Sequence, residues 1–411
     1  MRSKPERGYC TICARSMASK RNMNKQPAQK PGPLAGLKII EMAGLGPVPL
    51  AGLMLSELGA DVVRIERKES GKPFLVVPPD YDLDRHGRDV VKVHLKRPEG
   101  IELMLDLIEK ADLLVEGFRP GVMERLGLGP AEAMARNPRL IYGRMTGFGQ
   151  DGPLSARAGH DLTYLAYSGV LHAIGPKDGR PVPPLNLAAD YGGGTMFLIM
   201  GMLAALFERS HSGKGQVVDA AMIDGASMLA APFFSFLATG FWKDRRGVNL
   251  LDSGTPFYDT YETADGRHVA VACLEPQFFA EFARLLPLDD KFAAAQYDAT
   301  LWDEMRAAIV ARIGQKTRDE WAAIFEPTDA CVAPVLSLAE APDHPHAQAR
   351  QTHVMAGSLR RPAPAPRFSR TPGEVSHPSE PGPQSLAAAL ERFGLDAEAT
   401  SALARSGVIG D

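Results

Sequence analysis

Leu37-Lys-Ile-Ile-Glu41, Pro47-Val-Pro-Leu-Ala-Gly-Leu-Met-Leu-Ser-Glu-Leu58 and Asp61-Val-Val-Arg-Ile-Glu66 follow one another with only short breaks between them. The outer two are brief β-rich runs. The middle one is long enough for three helical turns and opens on a proline, which suits a first turn. The same alternation recurs: a helical stretch from Pro98 to Lys110, a strand from Ala111 to Val115, another from Arg139 to Met145, and a later strand from Gln216 to Ala221 followed by a helix from Asp224. Repeated strand–helix–strand units predict a mostly parallel sheet covered by helices.

The pattern changes after about Thr255. Tyr258 to Leu274 reads as a hairpin around Ala264-Asp265-Gly266, and Asp-Gly between β-rich runs is a strong hairpin signal. Helices are expected from Gln277 to Leu286, Leu301 to Ile313 and Arg318 to Phe325, which makes this an α+β segment. Pro362 to Pro383 is proline-rich and reads as an extended surface strap. Leu386 to Ser406 reads as short helices. The expected divisions are a disordered basic tail (1–31), a large α/β domain (32–224), a linker helix (225–255), a small α+β domain (256–340) and a return segment packing on the large domain (341–411).

Composition excludes several classes. The 411 residues suffice for two domains, and a net charge of −3 gives no general attraction to nucleic acid or anionic membranes. No apolar run approaches the ~18 residues of a bilayer span; the richest, Thr195 to Phe207, reads as a buried helix. Four scattered cysteines (Cys10, Cys13, Cys273, Cys331) make no disulfide framework, so a reducing compartment, the cytoplasm, is expected. Cys10-Thr-Ile-Cys13 lacks the second ligand pair a zinc site needs, and no metal site is expected.

Two ionisable residues beside glycine stand out: His160 in Ala158-Gly-His-Asp161, and Asp190 in Asn186-Leu-Ala-Ala-Asp-Tyr-Gly-Gly-Gly194. Each stands where a helix is expected to begin. Two proton-transfer groups acting from opposite sides of one carbon are what inversion of a stereocentre requires. Each also has a plainer reading. His160 alone is more often a structural helix-start histidine, Asp190 would make a good helix cap, and Gly192 to Gly194 fits close backbone packing better than a phosphate loop.

Several segments together resemble the family III CoA-transferase superfamily, from roughly Pro33 to the C-terminus. They are Gly44-Leu-Gly-Pro-Val-Pro49, Leu58-Gly-Ala-Asp-Val-Val-Arg-Ile-Glu-Arg67, Glu116-Gly-Phe-Arg-Pro-Gly121, Glu124-Arg-Leu-Gly-Leu-Gly129, Gly147-Phe-Gly-Gln-Asp-Gly-Pro153 and the Asp190 block. Within the superfamily, transferases use the aspartate matched by Asp190 as a nucleophile. The α-methylacyl-CoA racemase branch keeps it as a base and adds a histidine in an A-G-H-D segment and a glutamate in an E-P-Q-F segment. Both are present, as His160 and as Glu275 in Glu275-Pro-Gln-Phe278. The resemblance is therefore closest to the racemase branch.

The resemblance implies a Rossmann-like, CoA-binding large domain, a smaller α+β domain and an interlocked homodimer with active sites shared between chains. It implies an acyl-CoA substrate and no separate cofactor, coenzyme A being part of the substrate. The implied reaction is a 1,1-proton transfer at C2 of a 2-methylacyl-CoA, with His160/Glu275 and Asp190 as the two acid/bases. Histidine titrates near neutrality, and a carboxylate partner would fix its tautomer. The backbone N–H of Asp161, at a helix start, is implied as the donor to the enolate oxygen, a position that suits negative charge. Arg67, Arg119 and Arg125 match CoA-contacting arginines, and guanidinium suits phosphate. Leu95, Lys96, Gly159, Tyr164, Asn186 and Tyr258 are further binding candidates. The stretch Asp84-Arg-His-Gly-Arg-Asp-Val-Val-Lys-Val-His94 departs from the family pattern. A CoA-transferase with Asp190 as nucleophile is the alternative.

Overall fold

The computed structural model describes residues 31–68, 76–378 and 383–410. The basic tail with Cys10 and Cys13, and part of the segment from Lys68 to Tyr81, lie outside the described residues.

Twelve strands occur among the described residues: β1 Lys38–Met42, β2 Asp61–Arg67, β3 Asp89–Val93, β4 Leu113–Glu116, β5 Ile141–Thr146, β6 Gln216–Ala221, β7 Tyr258–Glu262, β8 His268–Ala272, β9 Val332–Pro334, β10 His353–Ala356, β11 Leu359–Pro362 and β12 Ile409–Gly410. Seven form one sheet in the order β12-β3-β2-β1-β4-β5-β6. Every pairing in it is parallel except β12 on β3. The order 3-2-1-4-5-6 is that of a doubly wound sheet, whose direction of growth reverses between β1 and β4.

The sequence pattern explains why both faces are covered. Along β1, Ile39 packs into the core on one face and Ile40 into the core on the other, and Val62 and Val63 divide in the same way along β2. Side chains of a strand alternate, so a strand buried on both sides reads as a continuous apolar run. The first face is covered by the Pro47–Glu57 and Met196–Ser212 helices, the second by the Pro98–Lys110 helix and by Leu386, Leu390 and Phe393 from the C-terminal segment. The return is completed by β12, where Ile409 pairs with Val93.

A separate core surrounds the antiparallel sheet β7-β8-β9 and includes Phe257, Phe279, Phe282, Met305, Trp321 and Phe325. The hairpin turn expected at Ala264-Asp265-Gly266 is present, with Gly266 at φ 72°. The helices Pro276–Leu285, Trp302–Ile313 and Arg318–Phe325 lie within one residue of their expected bounds.

The divergent stretch before Leu95, for which no element is expected from the sequence, contains a regular strand, β3, whose Asp-Val-Val-Lys-Val pattern is ordinary β sequence. One reading needs correction. The apolar stretch around Thr195 to Phe207 belongs to a longer helix, Leu187–Ser212, of 26 residues, with an 18-residue stretch of mean hydropathy 1.3, which by length and composition alone could cross a membrane. It is not a fully buried helix either. Leu198, Met202 and Ala205 face the sheet, while Met196, Met200 and Phe207 are exposed in the single chain. A helix that is apolar all round needs cover on every side, and the sheet supplies one.

Candidate functional site

The carboxyl ends of the parallel strands place the polar residues. β2 ends at Arg67, β3 leads into Leu95 and Lys96, and the loop after β4 carries Phe118 and Arg119 into the short Val122–Arg125 helix. These segments line one cleft of about 390 Å³. Five residues expected to bind the ligand, Arg67, Leu95, Lys96, Arg119 and Arg125, all line it. So do Lys68, His94 and Phe118, which sequence reasoning did not single out. The three arginines form no ion pair among the described residues, unlike Arg85, Arg136, Arg245, Arg306 and Arg360, which each meet a carboxylate. Unpaired guanidinium groups gathered at one cleft make a site for a polyanion.

A buried network fixes the arginine-bearing loop. Glu116, at the end of β4, accepts the Phe118 N–H at 2.7 Å and Arg144 Nε at 3.0 Å. Arg144 also bridges to Glu124 at 2.8 Å. Glu116 is fully buried, and burial pushes its carboxyl up against the pull of the Phe118 N–H and Arg144. The sequence offered no sign of this role for Arg144, because the three residues lie on separate elements.

His160 is the cap residue of the Asp161–Ser168 helix. Its N–H donates to Thr163 Oγ1 at 2.9 Å, and that hydroxyl donates back to the His160 carbonyl at 2.7 Å. His160 is exposed, and its imidazole forms no ion pair among the described residues. The Asp161 N–H, in the first turn, has no acceptor among the described residues, as expected of a helix start.

Gly159 is required by packing. A Cβ there would lie 2.5 Å from the Tyr164 ring, and one on Gly147 would lie 2.1 Å from it. The ring is wedged between these two backbones and meets Phe148 edge-on at 5.0 Å. Burial, helped by the nearby negative charge of Asp190, pushes the Tyr164 hydroxyl up to about 12, and Arg119 opposes the shift. Tyr164 therefore lies within electrostatic reach of both the aspartate and the arginine cleft.

Asp190 sits in the first turns of the Leu187–Thr195 segment, which is wound in wide π-type turns before the regular Met196–Ser212 helix begins. It is thus inside the helix rather than capping it from outside. The wide turns accommodate a close backbone crossing: a Cβ on Gly225 would lie 1.9 Å from the Gly193 carbonyl oxygen. π-type turns recur at functional sites. Asn186 Nδ2 donates to Asp190 Oδ2 at 3.3 Å. The loop after β1 brings Gly46 against the same oxygen, in a left-handed conformation at φ 69°. Burial holds the Asp190 carboxyl above the usual range. The Asn186 hydrogen bond opposes this, Asp161 adds to it, and His160 lowers it again. His160 and Asp190 are thereby brought within electrostatic range of one another.

Glu275 and Tyr258 lie elsewhere. Glu275 caps the Pro276–Leu285 helix and is exposed. Its electrostatic neighbours are Tyr297 and Cys331. Tyr258 pairs with Ala272 on the small sheet. No hydrogen bond or ion pair joins either to His160 or Asp190 within the chain.

Comparison with known proteins follows this geometry. Residues 34–384 match the family described as CoA-transferase family III. An α-methylacyl-CoA racemase from Mus musculus is 43% identical over 85% of this chain and 90% of its own length. Its counterpart from Homo sapiens is 40% identical over 89% and 94% respectively. The crystal structure of a CaiB/BaiF family protein from Brucella suis superposes with a TM-score of 0.75 at 26% identity, covering 88% of this chain and all of that one.

The Asn186 amide stabilises the charged form of Asp190, so Asn186→Ala raises the Asp190 carboxyl further. Carboxyl-carbon NMR titration of the two proteins reads this directly. An unchanged Asp190 titration would mean that the amide does not hold the carboxylate in solution.

Proposed function

The chain belongs to CoA-transferase family III, and on that premise we propose that it is a racemase inverting the C2 centre of 2-methylacyl-CoA thioesters. The observation that carries this reading is the convergence of His160 and Asp190, on two helix starts, beside a cation-lined cleft. The two similar racemases support it.

The chemistry follows from the groups present. The C2 proton of a thioester is a very weak acid, and its removal forms an enolate. Asp190, held up by burial, is a stronger base than an exposed aspartate. It takes the proton from one face, and His160 returns one to the other. In the reverse direction their roles exchange. The Asp161 N–H, without a protein acceptor, is placed to donate to the enolate oxygen as charge develops there. Arg67, Arg119 and Arg125 hold the phosphates of coenzyme A, with Leu95, Lys96 and Tyr164 completing the channel. No group in this scheme has to form a bond to the acyl carbon.

His160 lacks its carboxylate within one chain. We assign Glu275 of a second copy to that position, in a homodimer whose sites are shared. The exposed apolar residues Met196, Met200 and Phe207, with Phe234, Leu237 and Phe241 further on, give such a dimer its surface. Asn186 and Tyr258 would then line the acyl pocket from the two sides.

Incubation of one enantiomer of a 2-methylacyl-CoA in D2O, with no carboxylic acid added, gives C2 deuterium and loss of optical purity. Transfer of CoA to an added carboxylate, without exchange, would instead assign Asp190 the nucleophile's role. Co-expression tests the shared site separately. A mixed dimer of His160→Ala and Glu275→Ala chains carries one intact site and regains activity that neither variant has alone. Absence of that rescue in a verified mixed dimer contradicts the sharing.

A further inference from the structure

The side chain of Asp161 leaves its own helix. It is 4% exposed, and Oδ2 accepts both the Ala189 N–H and the Asp190 N–H, each at 2.8 Å. Those two amides lie in the opening turn of the Leu187–Thr195 segment, where backbone N–H groups have no intrahelical acceptor. One carboxylate oxygen thus satisfies two orphan donors on the segment that carries Asp190. The other oxygen, Oδ1, is buried with no protein partner. A helix cap needs neither this span, 28 and 29 residues along the chain, nor a second unsatisfied oxygen.

We propose that Asp161 is a positioning residue that locks the backbone of Asp190 to the His160 helix and holds a fixed negative charge behind the Asp190 carboxylate. His160 is its chain neighbour, and Asp190 is its hydrogen-bonded partner. The two proton-transfer groups are therefore built as one rigid unit, and a shift of either helix carries both. The charge has its own consequence. An anion close to Asp190 disfavours its ionised form and makes it the stronger base, in the opposite sense to the Asn186 hydrogen bond. This role is distinct from that of the Asp161 backbone N–H. Its catalytic consequence rests on the racemase reading, whereas the clamp itself does not.

Two substitutions in the full-length protein separate clamp from charge. In Asp161→Asn the amide oxygen still accepts the two N–H groups, but the charge is gone. The acid limb of kcat/KM, in the direction where Asp190 takes the proton, moves to lower pH by ~0.5–1 unit, and kcat falls while KM stays within about twofold. In Asp161→Ala both hydrogen bonds are lost, and kcat falls ~10-fold or more in both directions because the pair is misplaced.

Amide hydrogen exchange over Ala189 and Asp190 reads the clamp without turnover: slow in the wild type and Asp161→Asn, fast in Asp161→Ala. NMR titration of Asp190 in Asp161→Asn reads the charge in the same way, and should show a lower midpoint. Unchanged amide protection in Asp161→Ala overturns the clamp. An unmoved Asp190 midpoint in Asp161→Asn overturns the charge role. Should the wild type exchange no C2 proton at all, the racemase reading fails, and the exchange and titration data still decide the Asp161 proposal.

Discussion

A parallel sheet buried on both faces leaves its strands one place for polar chemistry, which is their carboxyl ends. Ile39, Ile40, Val62, Val63, Leu113 and Leu114 are consumed by the two cores. Buried charged groups on the strands are paired. Glu41 of β1 meets Arg64 of β2 and Arg88, and Glu116 of β4 meets Arg144 of β5. Buried pairs of this kind contribute little net stability, but losing one partner costs several kcal/mol because a charge is stranded. Their effect is to fix where the loops leave the sheet. The ends of β2 and β3 and the loop after β4 frame the cleft lined by Arg119 and Arg125.

The same constraint explains the arrangement of the acid/base pair. Neither His160 nor Asp190 is on a strand. Each stands at the opening of a helix laid over one face of the sheet, and the helices are brought together by glycine contacts too close for any side chain, such as Gly193 on Gly225. Close backbone packing costs conformational freedom in the unfolded chain. It is offset by a rigid frame in which two helix starts face one region. That region is only partly enclosed by a single chain: His160 is exposed, and the Leu187–Ser212 helix shows an apolar face to solvent. A second copy covering that face would both bury it and complete the site.

Much of this was legible in the sequence, and the failures have physical causes. The strands β1, β2, β5 and β6 and the helix Pro98–Lys110 stand within a residue or two of their expected places, because β-rich runs and helical periodicity were unbroken there. The five cleft residues expected from motif positions line one cavity. What the sequence concealed were contacts between distant segments. The Asp161 carboxylate on the amides of 189 and 190, and the Glu116–Arg144 bridge, depend on how helices and strands meet, and no spacing encodes that. β12, two residues long, is below any periodicity. The three glycines, read as close backbone packing at a helix start, do serve as a crossing point, but the helix begins before them, at Leu187.

Two bases on opposite faces make a claim that single-base or covalent chemistry does not. Each enantiomer of a 2-methylacyl-CoA can be incubated separately in D2O with His160→Ala and with Asp190→Ala, and C2 deuterium and configuration followed together. Racemisation is lost in both variants. Each variant still exchanges the C2 proton of one enantiomer only, with retention, and the two variants retain opposite enantiomers. Exchange of the same enantiomer by both variants, or undiminished racemisation by either, would contradict the assignment of His160 and Asp190 to opposite faces.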